Sequence, residues 1–441
     1  MPQFNMKNSA GLRLIIISVL ALFLLIPAYM IQSVIRERQN NRDFAIREVS
    51  SKWGDPQIIS GPILTIPYLV DNYDKDKNLI STNKYYAHFL PDNLDINGEI
   101  FPEIRYRGIY EMILYNSKLC INAKFSLPDI QSLSLNSGAM VWQEATIELG
   151  ISDLKGIKDV VIFDWNGTKF TANPGIPDQD VVKSGIHINL NFDRTAKSYQ
   201  FSTILDINGS KDLQFVPVGK ESVFDLKSTW SDPSFSGGFL PLERSVSEEG
   251  FSAKWKIFNL NRNFPQQWKG NQHNVLASAF GVELLMPVDE YQKTMRTSKY
   301  ALMFIMLTFI TFFMIEIMNK KAIHPIQYLL IGVGLVIFYS LLLALSEHMR
   351  LAVAYIISSF SMIALITMYT KAILRTRIVT CIICGILVLL YTYLYIVLQL
   401  QDYALLIGNL GLFVIMGIVM FITRKLDWFS MLSSKNEIKK D

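Results

Sequence analysis

Six apolar runs limit what this chain can fold into. They are Leu14–Ile31, Tyr300–Met318, Tyr328–Leu345, Leu351–Thr370, Ile378–Leu398 and Tyr403–Ile422. A helix needs about 20 apolar residues to cross a hydrocarbon layer of about 30 Å. Each run therefore predicts a membrane span, one near the N-terminus and five near the C-terminus. The first run resembles a signal peptide, but Ile26 breaks the small-x-small cleavage pattern around Ala28, so a retained anchor is expected. The region between the first and second spans has ordinary polarity and most of the Asn and Gly turn residues. This uneven distribution accounts for a charged fraction of only 18% and a mean hydropathy of +0.26.

Loop charge orients the spans. Alternate loops carry Lys320 and Lys321, then Lys371, Arg375 and Arg377, then Arg424, Lys425, Lys435, Lys439 and Lys440. The intervening loops carry Arg350 alone and no basic residue. Positive residues favour the cytoplasmic side. The expected layout is a cytoplasmic stub and anchor helix (residues 1–35), a periplasmic domain (36–299), a five-helix membrane bundle (300–423) and a basic cytoplasmic tail (424–441). Both termini are then cytoplasmic. Tyr300, Tyr328, Tyr403 and Trp428 fall at span ends, where interfacial aromatics collect. The net charge of +4 is spread along the chain rather than gathered in a nucleic-acid-binding stripe.

The 36–299 region reads as β-rich and antiparallel, sandwich-like in architecture. Ile186–Phe192 and Phe251–Ile257 alternate apolar and polar, as half-buried strands do. Asn97-Gly98, Asn166-Gly167 and Asn208-Gly209 each predict a type I′ hairpin turn. Leu-Asp-Ile-Asn-Gly occurs at 94–98 and again at 205–209, a weak hint of two related halves. Cys120 is the region's lone cysteine, so no internal disulfide is expected.

No catalytic, metal or cofactor motif stands out. The five histidines include no HExxH, and none pairs with a carboxylate or cysteine at a local ligand spacing. Cys381 and Cys384 lie in an apolar run and read as small membrane-helix residues. Gly332, Gly334, Gly408 and Gly411 read as points of close helix approach. The polar residues of interest are Glu316, His324, Glu347, His348 and Arg350. Glu316 lies about 24 Å along its helix from Tyr300, near the cytoplasmic face. Lys320 at i+4 is its expected partner, and a proton or ion role is the alternative. His324-Pro325 reads as a helix start. Glu347, His348 and Arg350 are expected to pair with one another in a tight outer loop, or to meet lipid headgroups or the domain above.

Several phrases, in this order, resemble the CreD family of inner-membrane proteins. They are Ile35-Arg36-Glu37-Arg38-Gln39, Gly61-Pro62-Ile63-Leu64 with Ile66-Pro67-Tyr68, Arg107-Gly108-Ile109-Tyr110, Phe239-Leu240-Pro241 with Glu243-Arg244, Gly250 to Trp255, Asn263-Phe264-Pro265-Gln266, Pro287 to Tyr291 through Lys299 to Leu302, and His324 to Tyr328. The run closes at Leu345-Ser346-Glu347-His348. The resemblance implies a role in envelope integrity and in the response to β-lactam-type stress, with no established chemistry. The leading expectation is a non-enzymatic envelope protein in the lipid bilayer, whose periplasmic domain binds a protein, a lipid or a cell-wall component. A transporter or lipid-handling protein is the alternative, and a membrane enzyme built on Glu347, His348 and Arg350 a third.

Overall fold

The computed structural model describes residues 10–286, 290–319, 323–400 and 403–424. They divide between two compact units, one drawn from residues 1–42 and 288–441 and one from residues 43–287.

The first unit is helical. Among the described residues, four helices are long and apolar enough to cross a membrane: Arg13–Trp53, Pro325–Ser346, Leu351–Leu374 and Arg377–Gln399. A fifth span results if Tyr291–Lys299 and Ala301–Ile317, bent by 42° at their junction, count as one. The sixth expected run coincides with the 20-residue apolar helix Ala404–Thr423. Gly332 permits close packing as expected, since a Cβ there would stand 2.1 Å from Leu24 Cδ1. Gly411 does the same against the Tyr393 ring, whereas Gly334 faces open space.

The second unit is a two-sheet β assembly. Its nine-stranded sheet runs Pro233–Gly237, Phe280–Leu284, Asp212–Val216, Gln57–Tyr73, Ala145–Ile151, Gly185–Leu190, Asn173–Pro174. The far half of Gln57–Tyr73 also pairs with Leu79–Phe89, which carries Gln267–Lys269 at its outer edge. The eight-stranded sheet runs Glu243–Ser247, Gly250–Phe258, Glu221–Ser228, Asn93–Arg107, Tyr110–Ser126, Ser198–Ser210, Ile162–Trp165, Thr168–Thr171. One apolar core serves both sheets. Phe224 meets Phe215 and Phe280 across it, with centroids 5.4 and 4.9 Å apart, and Trp255 meets Phe280 at 5.5 Å.

The pairing is not wholly antiparallel as expected. Gln57–Tyr73 lies parallel to Asp212–Val216, and Asn93–Arg107 parallel to Glu221–Ser228. Both pairs join strands far apart in sequence, so no short hairpin dictates their direction.

Of the three Asn-Gly pairs, only Asn166-Gly167 turns the chain. Both residues have positive φ (52° and 82°) between Ile162–Trp165 and Thr168–Thr171, as a type I′ turn requires. The other two pairs lie inside strands. Gly98 sits between the Leu119 and Leu226 side chains, and a Cβ on Gly209 would stand 2.3 Å from the Tyr115 hydroxyl. There glycine makes room for a neighbour instead of reversing the chain. The repeated pentapeptides lie on two strands that flank the same central strand, Tyr110–Ser126.

The helix end at residues 43–53 packs within this unit. Arg107 Nη2 meets Glu48 at 2.6 Å, Trp53 Nε1 donates to the Tyr115 carbonyl at 3.3 Å, and the Arg105 guanidinium stacks 4.2 Å above the Trp53 ring.

Candidate functional site

The membrane-helix residues singled out in the sequence do not form one site. They separate into two groups at opposite ends of the helix Pro325–Ser346. Tyr328 and Glu347 stand 19 positions apart, about 28 Å along a helix.

At one end, Glu316 is buried. It accepts a 2.6 Å hydrogen bond from Arg13 Nη1 and a 2.9 Å bond from the Tyr328 hydroxyl. Its partner is thus an arginine from the first helix. Lys320, the expected partner, lies outside the described residues, as do residues 287–289 and the tail beyond Arg424. A carboxylate among apolar helices is costly unless paired, and Arg13 and Tyr328 together engage both of its oxygens. Tyr328 is buried against Phe309, with centroids 5.5 Å apart. His324 belongs to the same helix start and is a cap. Its Nδ1 accepts from the Ile326 N–H, and its own N–H donates to Gln327 Oε1 at 3.0 Å. Pro325 takes the first helical position, as expected.

At the other end, Glu347 lies 3.7 Å from Arg38 Nε and accepts from the Tyr291 hydroxyl at 3.3 Å. The expected pairing among Glu347, His348 and Arg350 gives way to these long-range contacts. His348 occupies the turn and Arg350 precedes the helix Leu351–Leu374.

A more concentrated polar cluster lies in the β unit. Facing residues of an antiparallel ladder share a side of the sheet. Thr65 faces His88 on one neighbour and Thr146 on the other, and Glu148, two residues along, follows Thr146. This puts Thr65, His88, Thr146 and Glu148 on one face, opposite Leu64, Ile66 and Ile147. The segment between Asn173–Pro174 and Gly185–Leu190 covers that face and brings Asp178 and Asp180 onto it. Trp268, opposite His88 on the edge strand, closes the side with its ring 5.6 Å from the imidazole.

The cluster is enclosed and incompletely satisfied. His88 and Glu148 are 0% exposed and Asp178 is 6% exposed. His88 Nδ1 meets Thr65 Oγ1 at 3.1 Å, while its Nε2 has no hydrogen bond and lies 3.6 Å from Asp180 Oδ2. Glu148 Oε1 accepts from Thr146 Oγ1 at 2.8 Å, and its Oε2 is without a partner. Asp178 Oδ1 accepts the Asp180 N–H at 3.0 Å, and its Oδ2 is likewise unpartnered. Burial pulls the His88 pKa down to about 4, with Asp178 opposing, so the ring is neutral at pH 7. Burial, reinforced by the Asp178 charge, holds the Glu148 carboxyl well above the usual range. Burial also raises Asp180.

Sequence reading missed this cluster because its members are scattered over residues 65 to 268. The available signals were weak: polar residues at alternate positions of Ala145–Leu149, and the acidic loop Pro177-Asp178-Gln179-Asp180.

The CreD-like phrases acquire structural roles. In Asn263-Phe264-Pro265-Gln266, the carbonyls of Phe264 and Pro265 accept from the buried Arg262 guanidinium, which also reaches the Val218 carbonyl and Gln266 Oε1. This fixes the segment that leads to Trp268.

A solved structure from Legionella pneumophila overlaps 49% of this chain and 70% of its own, at 11% identity and a TM-score of 0.23, too low to carry an argument. Inner membrane protein CreD of Escherichia coli (strain K12) is 35% identical over 429 residues, 95% of this chain and 94% of that protein. The family described as Inner membrane protein CreD matches residues 9–429. Apolar helices of membrane-crossing length, a large β-rich unit and a match along nearly the whole sequence agree: the chain belongs to the CreD family of inner membrane proteins.

Proposed function

We propose that this protein supports cell-envelope integrity by non-enzymatic binding through its β unit, held at the inner membrane by six spans. Both termini are cytoplasmic, the β unit is periplasmic, and the response to β-lactam-type stress draws on it. The observation that carries this reading is the family match over residues 9–429.

Two further features support it. Arg13 and Arg38 lie 25 positions apart on one helical segment, about 37 Å, and each meets a glutamate from the bundle. Ion pairs at that spacing bracket a hydrocarbon layer of about 30 Å. The Arg13 and Tyr328 contacts of Glu316 favour an anchoring role for that carboxylate over ion transport. On the β unit, Asn93, Asp95, Asn122, Lys124, Asp164 and Gln200 line an open depression on the outer face of the eight-stranded sheet. Such a row of donors and acceptors suits a polar envelope component.

Deletion of the gene should sensitise cells to detergents and wall-active antibiotics, with rescue by the full chain. An unchanged sensitivity across both stresses would sink the role. Orientation is tested separately. Lys158→Cys in a Cys120→Ser background should react with a membrane-impermeant maleimide in intact spheroplasts; labelling only after lysis would reverse the topology.

A further inference from the structure

We propose that His88, Asp178 and Asp180, with Glu148 on the same sheet face, form a binding site for one divalent transition-metal cation, of the zinc or manganese class, in the β unit.

The geometry is that of a ligand set. A ring nitrogen of His88 and one carboxylate oxygen from each of Asp178 and Asp180 lie within 4.8 Å of one another. Ligands at about 2.0–2.2 Å around a tetrahedral zinc stand about 3.4 Å apart, and His88 Nε2 and Asp180 Oδ2 are at 3.6 Å. Thr65 holds the other ring nitrogen, Nδ1. A metal-binding imidazole is usually oriented in this way, through the nitrogen that does not bind the ion.

The electrostatics point the same way. Buried polar atoms are normally hydrogen-bonded, yet His88 Nε2, Glu148 Oε2 and Asp178 Oδ2 all lack a partner. Among the described residues, no lysine or arginine pairs with these three carboxyls, and the neutral imidazole supplies no charge. A cation would use the unpartnered His88 and Asp178 atoms and offset the repulsion between the acids. The donor set, one imidazole nitrogen and carboxylate oxygens, suits zinc or manganese better than calcium or magnesium, which prefer oxygen alone.

The competing reading is a proton shared between Glu148 and Asp178 with no ion present. It is separated by metal content, a readout that stands whether or not the envelope role holds. Full-length protein in detergent, stripped with EDTA, is dialysed against micromolar Zn2+ or Mn2+, and bound metal is measured by mass spectrometry. One equivalent per chain is expected for at least one metal. Asp180→Asn should weaken affinity at least tenfold. Its side chain is part-exposed, so this variant keeps the fold and the test stands even if His88→Gln does not fold. His88→Gln, where folded, should abolish binding. Absence of bound metal in the wild type overturns the proposal in favour of the shared proton. Equal binding by the wild type and Asp180→Asn overturns it by placing the ion elsewhere.

Discussion

Replacing Arg262 by Met tests how the wall of the His88 cluster is held. The guanidinium is buried, and burial draws its pKa down to about 10, so it remains charged at pH 7. It donates to the Phe264 carbonyl at 2.6 Å, the Val218 carbonyl at 3.1 Å, the Pro265 carbonyl at 3.3 Å and Gln266 Oε1. Methionine fills similar space but donates nothing. Val218 retains a donor in Gln266 Nε2 at 3.3 Å. Phe264 O and Gln266 Oε1 lose theirs, at about 1–3 kcal/mol for each orphaned buried acceptor. Relief from burying a charge returns part of this. The net destabilisation is about 2–4 kcal/mol. The β unit spans residues 43–287, and for a domain of that size each kcal/mol moves Tm by about 2–4 °C. Thermal unfolding of the detergent-solubilised protein, followed by tryptophan fluorescence, should therefore show a drop of about 5–15 °C. Arg262→Lys should lose most of the same stability, because an ammonium lacks the planar fork that reaches several acceptors. An Arg262→Met midpoint within about 2 °C of wild type would refute the idea that this side chain braces the segment leading to Trp268.

Three further outcomes follow from the same physics. Gly209→Ala places a Cβ 2.3–2.4 Å from the buried Tyr115 hydroxyl and ring, so urea unfolding should reveal a loss of about 1–3 kcal/mol; an unchanged midpoint would mean the strand yields freely. In the bundle, Arg13→Met or Glu316→Leu alone should lower thermal stability more than the double variant does, because each single change strands a charge; simple additivity would argue against a coupled pair. Burial raises Asp212 to about 6, with Glu283 adding to the shift and Lys211 opposing it. Its neutral form is favoured in the fold, so it contributes stability below about pH 4 that is lost as pH rises through 6. Asp212→Asn should accordingly gain about 1–2 kcal/mol at pH 7, discounted for partial solvent contact, and gain little at pH 4. A gain independent of pH would exclude the carboxylate as its source.

Much of the architecture was legible in the sequence because it depends on local patterns. An apolar run long enough to span hydrocarbon stays apolar whatever surrounds it. Alternation in Ile186–Leu190 and Phe251–Ile257 matched the buried sides of their strands. His324-Pro325 began a helix because capping involves only the next few residues. The misreadings came where a remote neighbour decides. Asn208-Gly209 carries a turn signal, but the Tyr115 side chain opposite requires glycine inside a strand. The parallel pairs depend on chain connections that no short motif encodes.

What the sequence alone determined, then, is which segments avoid water and which strands have a wet side. Those properties follow from side-chain polarity at the helix and strand periods. Tertiary structure decided which charges meet. It set Glu316 against Arg13 across 303 positions, and Glu347 against Arg38 rather than its loop neighbours. It also gathered His88, Glu148, Asp178 and Asp180 from distant segments onto one face of a sheet. A charge acts over a few ångströms in space at any distance along the chain, so such partners emerge only once the strands and helices are packed.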